Sequence, residues 1–230
     1  MRSVSATAAA DPVLGVDGCP GGWVGALVTG RRVRWLAARS VASMLDGAAV
    51  VGIDIMIGLP EAGRRDADRA ARDRLGTARS SVFYTPVRPV LAADGYPEAN
   101  RISRACSGYG LSQQAWQLVP RIRQVDALMS ADLQARVVEV HPELSFRALD
   151  PRVVHSKRTA RGLGQRLRCL AGWVDLGCLG EIPAGARLDD ALDALAVAWS
   201  AARWRDGAAR VLPSADPPRD RHRLRMEIIT

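Results

Sequence analysis

Val13-Leu14-Gly15-Val16-Asp17 and Val50-Val51-Gly52-Ile53-Asp54-Ile55 are the stretches whose reading decides the fold. Each is an almost unbroken apolar run, as expected of a strand covered on both faces, and each carries an aspartate at or near its end. A carboxylate in such a strand is unfavourable unless its charge is compensated. Where several carboxylates converge, a divalent cation is the usual compensation, because hard cations select oxygen ligands. Taken singly, either aspartate reads equally well as a solvated strand-end residue or as half of an ion pair.

Outward from the first run, Gly18-Cys19-Pro20-Gly21-Gly22 turns the chain into a second strand over 23–28. Thr29-Gly30-Arg31 then turns it into a third over 33–37. Connections this short allow only an antiparallel meander. A short helix is expected over 40–45, with Ser40 as its N-cap, before the fourth strand over 50–55. A long, mainly helical insertion follows, about residues 61–130. Its helices are predicted over 64–75, 97–106 and 112–128, around a proline-containing loop at 76–89. A fifth strand is expected over 135–140, a helix over 159–170 and a short last strand over 226–229. The firmest helix runs over 188–203, where alanines and leucines dominate and Asp189 and Asp190 favour the first turn. This order resembles that of an RNase H-like core: α/β, with a mixed five-stranded sheet flanked by helices and interrupted between strands 4 and 5.

With 230 residues, 48% hydrophobic and 24% charged, the chain has ordinary globular composition, and one domain over 12–230 is expected behind a frayed tail at 1–11. That tail lacks the apolar core of a secretory signal, and no stretch approaches a membrane span. Cys19, Cys106, Cys169 and Cys178 have no metal-binding spacing and read as reduced, which suits a cytoplasmic protein. The net charge of +8 favours acidic partners, nucleic acid first, but Lys157 is the sole lysine among 32 basic residues. So heavy a use of arginine fits biased codon usage as well as phosphate binding. The oligomeric state stays open, a homodimer among the options.

The remaining candidates lie further along. Asp190 and Asp193, three apart, share one face of their helix, where like charges repel unless something between them has use for both. One or both are expected to bind metal opposite Asp17 and Asp54. In Glu139-Val140-His141-Pro142-Glu143, strand alternation puts Glu139 and His141 on one face. Glu139 is expected to complete the metal shell; His141 reads as a packed strand-end residue ahead of a proton carrier. Ser156-Lys157-Arg158-Thr159 reads equally as a phosphate grip or a solvated basic helix end. Arg79, Ser80 and Ser81, and Ser112 with Gln113, either line a substrate groove or cap helices, capping being the default. The glycines at 18–22 are explained by hairpin geometry. Trp116, Trp173 and Trp199 read as core rather than base-stacking residues.

These segments, in this order, resemble the DUF429 family, whose members are regarded as RNase H-like nucleases on the strength of fold resemblance. The resemblance is carried by Gly15-Val16-Asp17-Gly18-Cys19 with Gly21-Gly22-Trp23, and by Ile53-Asp54-Ile55 with Ile57-Gly58-Leu59-Pro60. It continues through Ser80-Ser81-Val82-Phe83, Gly110-Leu111-Ser112-Gln113-Gln114, Glu139 to Glu143, Ser156 to Thr159 and the acidic run after Leu188. The ending Asp190-x-x-Asp193-Ala also resembles that of Holliday-junction resolvases. Met56 stands where proline is expected, and Arg121 and Arg158 where lysine is usual.

The resemblance implies a Mg²⁺- or Mn²⁺-dependent nuclease or phosphodiesterase working by a two-metal mechanism. Asp17 and Asp54 would hold the central ion, Asp190 or Asp193 the second, and Glu139 would assist. Two other expectations stand beside it. An ATP-dependent phosphotransferase of the actin and sugar-kinase type begins with a similar sheet, although no second glycine-rich phosphate loop is visible. A non-catalytic module would use its arginines to hold nucleic acid and leave the acids idle.

Overall fold

The computed structural model describes residues 11–214 and 216–230, so the expected tail at 1–11 lies outside the described residues except for Asp11. The meander forms as expected: β1 (Val13–Cys19), β2 (Gly22–Thr29) and β3 (Arg32–Ala38) are antiparallel neighbours. A 3₁₀ turn over Val41–Met44 leads to β4 (Val50–Ile53), which pairs parallel with β1. β5 (Val137–Glu139) adds in parallel beyond β4, giving the order β3-β2-β1-β4-β5.

Between β4 and β5 stand α1 (Asp66–Leu75), α2 (Tyr96–Ser107) and α3 (Gln113–Asp126). After β5 come α4 (Pro142–Leu149), α5 (Ala160–Ala171) and α6 (Leu188–Arg205). A two-stranded ribbon of β6 (Val211–Leu212) and β7 (Ile228–Ile229) completes the chain. The helix α4 follows the expected strand and has no counterpart among the expected helices. Pro142 stands at its first turn, where the missing N–H is harmless and the fixed φ suits a helix.

Side-chain alternation along the strands divides the core in two. Val13, Val24, Ala26, Val50 and Val138 face α6 and pack on Ala194, Leu195, Val197 and Ala198. Leu14, Val16, Val51, Ile53 and Val137 face the other way, onto Val41, Met44 and, from α3, Ile122 and Val125. The approach of α6 is set by Gly15, where a Cβ would overlap the backbone of Ala194 and Ala198. A second glycine, Gly52, lies under Val197 on the neighbouring strand. Close packing at these glycines brings the first turns of α6 down onto the ends of β1 and β4.

The insertion is tied to the sheet through buried charge. Arg65 reaches Asp68 at 2.6 Å and Glu139 at 2.7 Å, all three side chains nearly inaccessible. Arg88 likewise joins Asp126 at 2.7 Å to Asp220 at 2.5 Å, binding the C-terminal segment to α3. All four cysteines are free. Among the described residues no helix is long and apolar enough to cross a membrane.

Candidate functional site

Asp17 and Asp54 are brought side by side by parallel pairing. Val16 lies opposite Ile53 in the register, and the Asp54 N–H donates to the Val16 carbonyl at 2.9 Å. In each strand the aspartate is two residues beyond a glycine that faces α6, so alternation turns both carboxylates to that face. Asp193, 5% exposed, descends from the second turn of α6 to meet them. Its carboxylate is held by Lys157, whose ammonium also lies 4.0 Å from Asp189.

Electrostatics registers this crowding. Burial, then Asp54, then Asp193 hold the Asp17 carboxyl well above the usual carboxylate range, against the pull of Lys157 and the Gly18 N–H. The Asp54 carboxyl is pushed up to about 7 by burial, with Lys157 opposing. Asp193 also rises to about 7, again by burial, with Lys157 opposing and Asp54 adding to the rise. Burial alone would lower the Lys157 pKa, but Asp193 and Asp17 overcome it and keep the ammonium charged. Three carboxylates therefore share one ammonium.

Two adjoining cavities open onto these acids. The larger, about 720 Å³, is lined by Asp54, Asp193, Lys157 and Arg158 together with Ser80 and Ser81. The smaller, about 160 Å³, is lined by Asp17 and Asp54 and reaches Arg121. His141 borders both. Its Nε2–H donates to the Ser81 carbonyl at 3.2 Å, which leaves Nδ1 as a buried acceptor without a partner. Burial lowers the His141 pKa, so the ring is held neutral. Arg166 grips Glu143 through two contacts of 2.6 and 2.7 Å and also donates to the His155 and Gly162 carbonyls, while its Nε and that of Arg147 in the same wall are buried without a partner.

Several expected site residues are engaged otherwise. Glu139 borders the smaller cavity with Asp17 and Asp54, but its carboxylate is taken up by Arg65. It lies opposite Ile53 in the register, so its side chain points to the other face of the sheet. There Arg65 holds both of its oxygens, and the Ile57 N–H donates to it at 2.6 Å. Burial raises its pKa while Arg65 lowers it, the signature of a buried structural ion pair. Asp190 likewise closes a capping box, accepting from the Arg187 N–H at 3.0 Å, so the acid that α6 gives the cluster is Asp193. Ser112 is the N-cap of α3, accepting from the Ala115 N–H at 3.1 Å, and Gln113 is exposed beside it. Arg79 is also exposed and gives only its carbonyl, which accepts from Arg72 and from the Val82 N–H. Arg79, Ser112 and Gln113 thus lie outside the acidic cleft.

Sequence reasoning did not single out Arg65 or Arg147. A lone arginine among many carries no signal of which carboxylate it will meet. The expectation of a ready cation cage also needs correction. Among the described residues no three Asp, Glu, His or Cys side chains stand ready to hold a metal ion, and Lys157 occupies Asp193 within the cluster.

A family model described as "Protein of unknown function (DUF429)" matches residues 15–218, most of the chain. The chain belongs to the DUF429 family. No curated protein and no solved structure matches it.

Proposed function

We propose that this DUF429 protein is a divalent-cation-dependent phosphodiesterase with an RNase H-like core that cleaves nucleic acid. The carrying observation is the surplus of carboxylate over cation at one point: Asp17, Asp54 and Asp193 around the single ammonium of Lys157. Supporting it are the sheet order and the delivery of these acids from β1, β4 and α6, the elements expected to supply them in that core.

The donor chemistry fits Mg²⁺ or Mn²⁺. All three groups are hard oxygen donors, and they carry more negative charge than Lys157 neutralises. When bound, such an ion makes a strong nucleophile of water at neutral pH and offsets charge on phosphate oxygens. Asp17, Asp54 and Asp193 would hold it. Lys157 and Arg158, on the wall of the same cleft, hold the phosphodiester by charge. Ser80 offers a hydroxyl to the same group, while that of Ser81 donates to the Ala78 carbonyl at 2.9 Å. The neutral His141 has Nδ1 free to accept a proton, because its other nitrogen is occupied by Ser81. Four free cysteines agree with action in the reducing cytoplasm.

The test is incubation with Mg²⁺ or Mn²⁺ and single-stranded, duplex, hybrid and branched nucleic acids. Cleavage of at least one, abolished by Asp17→Asn and by Asp54→Asn, is expected. No cleavage of any, or cleavage that survives both substitutions, contradicts the proposal.

A further inference from the structure

In a separate cavity of about 90 Å³, the guanidinium of Arg64 lies between two tyrosine rings, 3.7 Å from the centroid of Tyr84 and 3.8 Å from that of Tyr109. Arg72 approaches Tyr84 as well, at 4.7 Å. Among the described residues Arg64 forms no ion pair and no hydrogen bond, whereas the next residue, Arg65, is saturated by two carboxylates. The tyrosine hydroxyls are similarly uncommitted, in contrast to Tyr96, whose hydroxyl donates to the Leu111 carbonyl at 2.9 Å. Tyr109 is 51% exposed, a large share for an aromatic ring. A stack that served only to fix the loop would have no use for an outer ring open to solvent.

The stack's position is equally informative. Tyr84 follows Phe83, which lines both cavities of the acidic cleft, and Arg64 precedes Arg65, which lines the smaller. Planar groups that present π-faces and an unpaired guanidinium to solvent suit a ligand with both flat rings and phosphates. Bases in a duplex have their faces covered by their neighbours, so only an unpaired strand can stack on Tyr109. A guanidinium stacked between two rings still has its edge, where the N–H groups lie, available to a phosphate.

We propose that Tyr84, Arg64 and Tyr109 form a stacking platform for single-stranded nucleic acid, leading the strand into the acidic cleft. The platform rests on the phosphodiesterase reading only for what happens to the strand once it arrives. Tyr109 supplies the face on which a base stacks, and Arg64 carries the phosphate next to it. The substrate class follows: an unpaired strand, or the unpaired part of a branched one.

Binding separates this proposal from cleavage. The full chain is titrated, in EDTA, against fluorescein-labelled oligodeoxythymidylate and against a hairpin duplex of equal length, with anisotropy as readout. The single strand is expected to bind more tightly than the duplex. Tyr109→Ala should weaken single-strand binding roughly tenfold and leave the duplex unchanged, while Tyr109→Phe retains it. Arg64→Ala should reduce the salt dependence of single-strand binding by about one phosphate contact, and Arg64→Lys should keep that dependence but bind more weakly. Single-strand affinity untouched by Tyr109→Ala, or lost equally for both ligands, overturns the platform. Asp17→Asn should bind the single strand as the wild type does while failing to cleave. Normal binding together with normal cleavage in Tyr109→Ala overturns the platform and leaves the nuclease reading standing.

Discussion

Lys157 is the only lysine in the chain, and its ammonium lies against Asp193 in the acidic cleft. An ammonium is a compact point charge that can sit among several oxygens, whereas a guanidinium is a planar fork with fixed donor directions. It leaves the cluster undercompensated, and stability should follow pH accordingly. Asp54 and Asp193 have folded pKa values raised to about 7, so between about pH 4 and 7 the folded chain binds more protons than the unfolded one. Stability therefore falls as pH rises through that window. We expect the melting temperature in EDTA to drop between pH 5 and pH 8, and Mn²⁺ to restore part of the loss at pH 8. Asp54→Asn should stabilise the metal-free protein at pH 8, on the order of 1–3 kcal/mol, while abolishing cleavage. Lys157→Met should do the reverse to stability, with a larger penalty at pH 8 than at pH 5. Equal melting temperatures for Lys157→Met and wild type at pH 8 would remove the ammonium from the account. The sequence left Asp190 and Asp193 as alternatives because their spacing puts both on one helical face. Only the helix start at Leu188 decides between them, since it makes Asp190 a capping residue and sends Asp193 to the cluster.

At the level of elements, the site depends on how closely α6 approaches β1. Gly15→Val would drive a branched side chain into the backbone of Ala194 and Ala198. We expect a loss of about 2–4 kcal/mol, read by chemical denaturation, together with loss of cleavage, because Asp193 would move with the helix. Asp190→Ala should lose only half of a capping box, about 0.5–1 kcal/mol, and keep activity. A dead but folded Asp190→Ala would contradict the division of labour drawn between the two aspartates. The meander and the β1–β4 pair were legible in the apolar runs and in the short turns between them. The face on which Glu139 lies was not, because a single position in the register decides it, and the sequence does not print the pairing of β5 with β4. The helix α4 was hidden for a related reason. Val137 to Val140 read as a continuing strand, and only Pro142 marked the change.

Across the whole molecule, the excess of arginine is spent in two ways. Arg65, Arg88 and Arg166 are nearly buried and join the insertion, the C-terminal segment and α5 to the rest through paired carboxylates. Arg147 and Arg158 line the cleft, and Arg64 stands in a separate cavity without a carboxylate. The net charge of +8 is therefore not a uniform field, and it could not have told these groups apart. Arg65→Met would leave Asp68 and Glu139 buried without their cation, at a cost of about 3–5 kcal/mol and with the insertion loosened from the sheet. Membership of the DUF429 family was carried by motifs spread along the chain, yet those motifs mix groups that meet at the acidic cleft with groups that only cap and tie.

The central claim is that the cation belongs to Asp17, Asp54 and Asp193, and calorimetric titration of Mn²⁺ into the protein at pH 8 tests it most directly. Wild type and Asp190→Ala are predicted to bind the ion alike, and Asp193→Asn to lose most of the heat of binding. Undiminished binding by Asp193→Asn, or binding lost in Asp190→Ala, would contradict the account.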